Sequence, residues 1–368
     1  MAEWQGPLEG LGLTALRASL GSLAGRRVFL TGHTGFKGSW MVALLKQLGA
    51  EVHGYALPAS SSPNLAELGN IADMLASETI ADIRDAAVLR QAVTNAQPDL
   101  VVHMAAQALV RHSYADPIET WSTNVMGTVN LLEAARAVPG IAGIVVVTTD
   151  KCYDNRSWEW GYRETDALGG HDPYSASKAA TELVAQSYRK SFFDGAGVLL
   201  ATARAGNVIG GGDWSQDRLV ADAARAAASQ DVLMVRNPDA TRPWQHVLDC
   251  LTGYLTLGSA LLAGEHSAAT AFNFGPDHAD NVSVSDLLSG LARHWPELRW
   301  QVESQADAPH EAAFLYLDSS RARRDLGWQS RWSLDKALQQ TAGWYRGVAQ
   351  DNSAAPSLMA TQIDEYLQ

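Results

Sequence analysis

Cysteine, positive charge and long apolar runs are all scarce in this chain of 368 residues. Its two cysteines, Cys152 and Cys250, cannot build a disulfide framework. Their separation fits no zinc-binding spacing either, so no metal site is expected and both are read as buried free thiols in a reducing compartment. Only 28 Lys and Arg stand against 40 Asp and Glu, a formal net charge of −12. That balance argues against nucleic acid or an anionic membrane surface as partner. No stretch approaches the roughly 18 apolar residues that cross a bilayer. The opening segment lacks both the basic start and the dense apolar centre of a secretion signal. A soluble cytoplasmic protein is expected. An acidic chain still binds a small anion where its few cations converge.

What the sequence does contain is alternation. Residues 27–30 read as a buried strand entering a glycine turn, followed by a helix over 39–48 and a second strand at 52–57. Further strand-like runs lie at 99–103, 143–148, 198–203 and 271–274, with helical patterns between them, notably 120–137 and 173–192. Such a succession predicts an α/β fold, a Rossmann-like doubly wound parallel sheet. After about Asn207 the pattern loosens, and Trp214, Trp244, Trp295, Trp300, Trp328, Trp332 and Trp344 follow. The reading there is a smaller C-terminal substrate-binding lobe closing over the carboxyl ends of the strands. The expected division is a cofactor domain at 25–207, rejoined by about 245–275, and a lobe at 208–244 and 276–345. Residues 1–24 are then a leader and 346–368 a tail.

Thr31-Gly32-His33-Thr34-Gly35-Phe36-Lys37-Gly38 follows the first strand and opens a helix with G-x-x-G-x-x-G spacing. Glycines let the backbone turn tightly and approach a pyrophosphate, whose charge then rests on the helix N-terminus. One companion feature is missing. The second strand ends Tyr55-Ala56-Leu57, with no carboxylate for ribose hydroxyls and no Arg for a 2′-phosphate. NAD is therefore favoured over NADP. His33 and Lys37 place bulk and charge where small or apolar residues are usual, so they are expected to crowd the pyrophosphate.

Tyr174 and Lys178 form Y-x-x-x-K behind the cap-like Asp172-Pro173. Four residues apart, they share one helix face. A nearby ammonium and a cofactor's positive ring favour phenolate, making Tyr174 a usable base. Upstream, an apolar strand ends in Thr148-Thr149-Asp150-Lys151-Cys152-Tyr153. Thr149 is placed to orient a substrate oxygen against Tyr174. Asp150 and Lys151 add an acid/base pair beyond what alcohol oxidation requires. Arg218 and Arg242 are the candidate guanidinium forks for a diphosphate.

Four stretches, TGHTGFKGSW from Thr31, TDKCY from Thr149, AGNVIGGGDW from Ala205 and RPWQHV from Arg242, resemble the CDP-glucose 4,6-dehydratases. These are extended short-chain dehydrogenase/reductase enzymes that act on nucleotide sugars, and the similarity spans about residues 25–345. The resemblance implies NAD held by Gly32 to Gly38, Asp82, Ile83, Ala105, Tyr174 and Lys178. It further implies a nucleotide-sugar substrate, CDP-glucose first, with Asn207 at the diphosphate and His310 and Glu311 near base and ribose. The implied reaction oxidises carbon 4, eliminates water across carbons 5 and 6, and returns the hydride to carbon 6. Asp150 is then the acid and Lys151 the base, kept neutral by burial beside Lys178. A homodimer through the helices at 120–137 and 173–192 completes the expectation. Three readings stay open: a 4-epimerase, which has no need of Asp150 and Lys151; a dehydratase of another nucleotide sugar; and a non-catalytic cofactor-sensing module, which needs neither Tyr174 nor Lys178.

Overall fold

Strands that are apolar at every position need cover on both faces, and the computed structural model builds them into one seven-stranded parallel sheet. It describes residues 12–277, 280–303 and 315–368. In chain order the strands are β1 (Arg27–Thr31), β2 (Glu51–Ala56), β3 (Ser77–Ile80), β4 (Leu100–His103), β5 (Gly143–Val147), β6 (Leu199–Ala205), β7 (Asn207–Ile209), β8 (Val232–Val235), β9 (Thr241–His246), β10 (Ala271–Phe274), β11 (Asn281–Ser283) and β12 (Arg299–Val302). The main sheet runs β10-β6-β5-β4-β1-β2-β3. Its order reverses between β1 and β4, which opens a crevice at their carboxyl ends.

Period-two alternation distributes side chains to two apolar layers. Val28 and Leu30 join a core with Trp40, Leu44, Leu251 and Trp344, while Phe29 joins the opposite core with Leu89, Val93 and Leu131. β10 lies beside β6, pairing Ala271 with Thr202 and Phe274 with Ala205, so the chain returns to the first sheet late. β3 is a polar edge strand that the apolar pattern missed. The helical run at 120–137 is divided: Pro117–Trp121, a π turn at Ser122–Met126, and Gly127–Arg136.

Beyond the main sheet, β7, β9 and β11 form a three-stranded sheet and β8 pairs with β12. Trp244, Trp295, Trp328 and Trp344 are buried there as packing residues. Two expected boundaries need correction. Leu20 and Leu23 are buried in the first core, as are Met359, Ile363 and Tyr366 of helix Ala355–Leu367. Apolar residues three and four apart give each segment a stripe to bury, so residues 12–24 and 346–368 belong to the packed body. Tyr366 fastens the C-terminal helix by donating to the buried Asp249 carboxylate at 2.6 Å, a group that burial pushes up to about 6.

Trp344 lies directly on Gly211, inside the space a methyl group would need, and Trp40 Nε1 donates to the Gly211 carbonyl at 2.9 Å. Gly211→Ala is expected to cost on the order of 1–3 kcal/mol through overpacking. Gly343→Ala, on the same helix as Trp344 but facing open space, serves as control and should be neutral or stabilising. Urea midpoints check both; an unchanged midpoint for Gly211→Ala removes this contact as a packing constraint.

Candidate active site

The glycine loop closes on the crevice from the β1 side. Gly32 has φ +82°, and a Cβ there would meet the Ala105 backbone nitrogen at 2.8 Å. Gly35 is the N-cap of helix Phe36–Gln47 and brings no side chain to its first turn. The unpaired N–H groups of that turn are left for an anion. A bare, close-packed cradle of this kind fits a dinucleotide pyrophosphate.

The cradle is tied to helix Pro173–Tyr188 by an ordered set of bonds. Thr31 Oγ1 accepts from the Met104 and Ala105 nitrogens, each at 3.1 Å, and so donates its own proton to His103 Nδ1 at 2.7 Å. His103 Nε2 then donates to Thr128 Oγ1 at 3.0 Å, whose hydroxyl donates to the Asn124 carbonyl at 2.7 Å. This network requires a neutral imidazole, and burial pushes His103 down to about 3. Asn124, placed by the π turn, donates to Ser177 Oγ at 2.9 Å on helix Pro173–Tyr188.

His33 and Lys37 depart from expectation. The His33 imidazole lies over Gly54 of β2, is 1% exposed, and bonds Glu78 through Nε2 at 2.8 Å. Lys37 Nζ reaches Cys250 Sγ at 3.6 Å and the Tyr254 ring at 5.8 Å. Both side chains are spent on other elements, so the crowding expected at the pyrophosphate is corrected. Asp82 is engaged by Arg84 at 2.6 Å, and Ile83 packs against Gly127.

Asp172 caps helix Pro173–Tyr188, accepting from the Ser175 nitrogen at 2.9 Å, with Pro173 in the first turn. Tyr174 and Lys178 are both buried on it. Lys178 Nζ donates to the Val147 carbonyl at 3.2 Å. Burial, with Lys37 adding repulsion, brings Lys178 down to about 8. Burial pushes Tyr174 up to about 12, against a hydrogen bond with Thr149 and the positive field of Arg218. The expected pull of Lys178 on the phenol is therefore not what governs Tyr174 here.

Thr149 begins a single helical turn at Asp150–Cys152, accepting from the Lys151 nitrogen at 3.3 Å and donating to Asp150 Oδ1 at 3.0 Å. Asp150 is fully buried; its Oδ2 has no protein partner and lies where a Cβ on Gly206 would be 3.1 Å away. Lys151 Nζ sits 3.0 Å from Asp150 Oδ1 and 3.4 Å from Asn207 Oδ1. Its side chain keeps 28% exposure. The expected buried amine is thus corrected to a partly open ion pair.

Arg218 is exposed and donates to the Ala108 carbonyl at 3.3 Å, and Arg242 on β9 donates to the Thr241 carbonyl at 2.7 Å. His310 and Glu311 lie outside the described residues. Among the described residues there is no His/Cys/Asp/Glu cluster suited to a metal and no helix long and apolar enough to cross a membrane. Cys152 and Cys250 are buried free thiols. Sequence reasoning missed His103, Glu182 and Arg204 in this region. A signal for Glu182 was present, because it continues the spacing of Tyr174 and Lys178 by one more turn.

A sequence model described as GDP-mannose 4,6 dehydratase matches residues 29–341. The chain is 47% identical over 328 residues to the CDP-glucose 4,6-dehydratase of Salmonella typhimurium, covering 88% of this chain and 91% of that one. In fold it is similar to the epimerase Mth375 of Methanothermobacter thermautotrophicus, with TM-score 0.80 at 21% identity over 93% of this chain and 98% of that one. A UDP-glucose 4-epimerase of Thermus thermophilus, solved in complex with NAD, gives TM-score 0.74 at 24% identity over 87% and 99%. With a matched span that takes in the glycine loop, the Thr149–Lys151 turn and the Tyr174/Lys178 helix, this chain belongs to the GDP-mannose 4,6 dehydratase family.

Proposed function

We propose that this protein is an NAD-dependent hydro-lyase that converts CDP-glucose to CDP-4-keto-6-deoxyglucose. The observation that carries the reading is the Asp150–Lys151 ion pair at 3.0 Å, one residue from Thr149 and in the same crevice as Tyr174. Simple oxidation or 4-epimerisation has no use for a second acid/base pair; elimination needs both members. The 47% identity to a CDP-glucose 4,6-dehydratase supports the choice of sugar nucleotide.

NAD, held at the glycine loop, supplies a positive charge and a reversible hydride acceptor. Tyr174 takes the 4-hydroxyl proton, oriented through Thr149. Because burial holds Tyr174 near 12 in the protein alone, the phenolate depends on added positive charge, and Lys178 contributes its own only below about 8. Once carbon 4 is a ketone, the proton on carbon 5 becomes acidic. Lys151 removes that proton and Asp150 protonates the departing 6-hydroxyl. Transfer of one proton from Lys151 to Asp150 turns their ion pair into a neutral base and a neutral acid without exchange with solvent. The unpartnered Asp150 Oδ2 is the oxygen left to meet the substrate. Asn207, bonded to Lys151 Nζ, orients the amine; Arg218 and Arg242 are assigned to the diphosphate, and His310 and Glu311 to the nucleoside.

The assembly we propose is a homodimer. Ile118 is 81% exposed, Trp121, Met126 and Leu183 are also exposed, and an apolar groove runs between Pro117 and Met126. An exposed apolar surface of this kind on paired helices marks an interaction site, and a self-complementary patch gives a two-fold dimer. Ile118→Glu combined with Leu183→Glu should yield a monomer by light scattering; a persisting dimer would move the interface elsewhere.

Incubation with NAD and CDP-glucose should give the alkaline absorbance of a 4-keto sugar nucleotide and a 6-deoxy product. Tyr174→Phe should lower oxidation at carbon 4 by about 10²- to 10⁴-fold, the usual worth of a general base, with sugar-nucleotide affinity nearly unchanged. Turnover near the parent rate takes Tyr174 out of that role.

Asp150→Asn and Lys151→Met should spare oxidation and cripple elimination, so that a 4-keto hexose accumulates. Lys151→Met should also slow deuterium exchange at carbon 5, read by mass spectrometry. If either variant forms 6-deoxy product at the parent rate, the substituted residue has no acid or base role. If the parent eliminates water from no sugar nucleotide, the 4-epimerase reading replaces this one.

A further inference from the structure

A buried ionic cluster underlies the Thr149–Tyr153 turn, and the steps above do not use it. Glu182 and Arg204 are 3% and 4% exposed, and their charged groups meet at 2.8 Å. Glu182 stands on helix Pro173–Tyr188, one turn beyond Lys178 and two beyond Tyr174. Its Oε1 accepts from the Thr148 hydroxyl at 2.5 Å, and its Oε2 from Thr202 at 2.7 Å and from Arg204 Nη2. Thr148 is the residue immediately before Thr149. Arg204 reaches the other end of the turn: Nη1 donates to the Tyr153 hydroxyl at 2.8 Å, and the guanidinium lies 5.0 Å over the Tyr153 ring. Tyr153 passes its proton on to Asn273 Oδ1 at 2.7 Å.

One ion pair therefore grips both flanks of Thr149-Asp150-Lys151-Cys152, and its carboxylate is built on the helix that carries Tyr174 and Lys178. Stability alone gives a poor reason for the arrangement. Replacing a buried pair with well-packed apolar residues is often neutral or stabilising, whereas removing one partner strands a buried charge. What the pair does provide is a fixed relation between two chain segments. Burial opposes ionisation of Glu182, yet Arg204 and the hydroxyl donors Thr148 and Thr202 hold it below the usual carboxylate range. The pair stays charged.

We propose that Glu182 and Arg204 are positioning residues that hold the Asp150–Lys151 turn in register with Tyr174 and Lys178, so that oxidation and elimination address one bound sugar. The inference rests on the dehydratase reading given above. Tyr174 and Lys178 are also held by their own helix. Asp150 and Lys151 sit on one short turn between the two anchors, so loss of the clamp should fall chiefly on elimination.

Three variants test this: Glu182→Gln, which keeps one acceptor oxygen, turns the other into a donor and loses the charge; Arg204→Lys, which keeps the charge but loses the fork to Tyr153; and Tyr153→Phe, which removes the two bonds of the hydroxyl and leaves the pair. Displacement of about 1 Å costs on the order of 10²-fold in rate. Glu182→Gln and Arg204→Lys should therefore lower kcat for dehydration by about 10- to 100-fold, with KM within about twofold and a raised ratio of carbon-4 oxidation to carbon-5 exchange. Tyr153→Phe should show the same change of ratio in weaker form. Glu182 also supports the charge on Lys178, so Glu182→Gln should shift the alkaline limb of the oxidation profile to lower pH. Hydrogen exchange in the substrate-free protein should show faster amides at 149–153 and unchanged amides in β1 and β2. Parent-like step ratios in folded variants, with or without a lowered Tm, overturn the proposal, as do unchanged amides at 149–153. If the parent makes no 6-deoxy product, the reaction assignment fails by itself, and the exchange measurement still decides whether the pair holds the turn.

Discussion

Desolvation governs this site. The reversal of strand order between β1 and β4 makes a crevice, and helices on both faces exclude water from its floor. Every charged group placed there must find a partner or change its proton affinity. Lys178 comes down to about 8 and Tyr174 goes up to about 12, while Glu182 keeps its charge because Arg204, Thr148 and Thr202 meet it. His103 stays neutral between two threonines. Each of these states follows from the same shortage of water, and together they set which groups move protons and which only hold shape.

The same constraint acts on Tyr174. A phenol near 12 is a poor base, and a buried ammonium cannot by itself bring it down while Lys37 repels that ammonium. In the reading proposed above, the positive charge of a bound cofactor would favour the phenolate.

Much of this was legible in the sequence because it depends on spacing along one element. The apolar runs at 143–148 and 271–274 became β5 and β10, and Tyr174 with Lys178 share a helix as four-residue spacing requires. What periodicity could not show is pairing between distant elements. Ser77–Ile80 is a polar edge strand with no apolar signature. The π turn that sets Asn124 adds one residue to a helical turn, a change invisible to a 3.6-residue pattern. His33 looked like an obstruction at the pyrophosphate because its direction across Gly54 to Glu78 is set by β2 and β3, not by the loop. Glu182 and Arg204 are 22 residues apart on a helix and a strand, and only the fold makes them partners. The apolar stripe of the terminal helix at 355–367 reads as a tail in sequence because its partners, such as Trp332 beside Tyr366, are supplied by distant segments.

The fold is shared with proteins described as epimerases, at TM-scores of 0.80 and 0.74, so the fold alone does not select the reaction. Selection has to come from what the crevice can do after carbon 4 is oxidised. A 4-epimerase needs only to release the ketone, turn it and reduce it from the other face. Elimination needs a proton removed from carbon 5 and one delivered to the 6-hydroxyl, and the two groups must not neutralise one another permanently. In the reading proposed above, Asp150 and Lys151 meet that condition as an ion pair, one fully buried and one still 28% exposed. The unequal burial leaves the amine partly open to the crevice while the carboxylate is closed off from solvent. On that reading, this pair is what separates dehydration from oxidation, provided the clamp of Glu182 and Arg204 holds its turn in place.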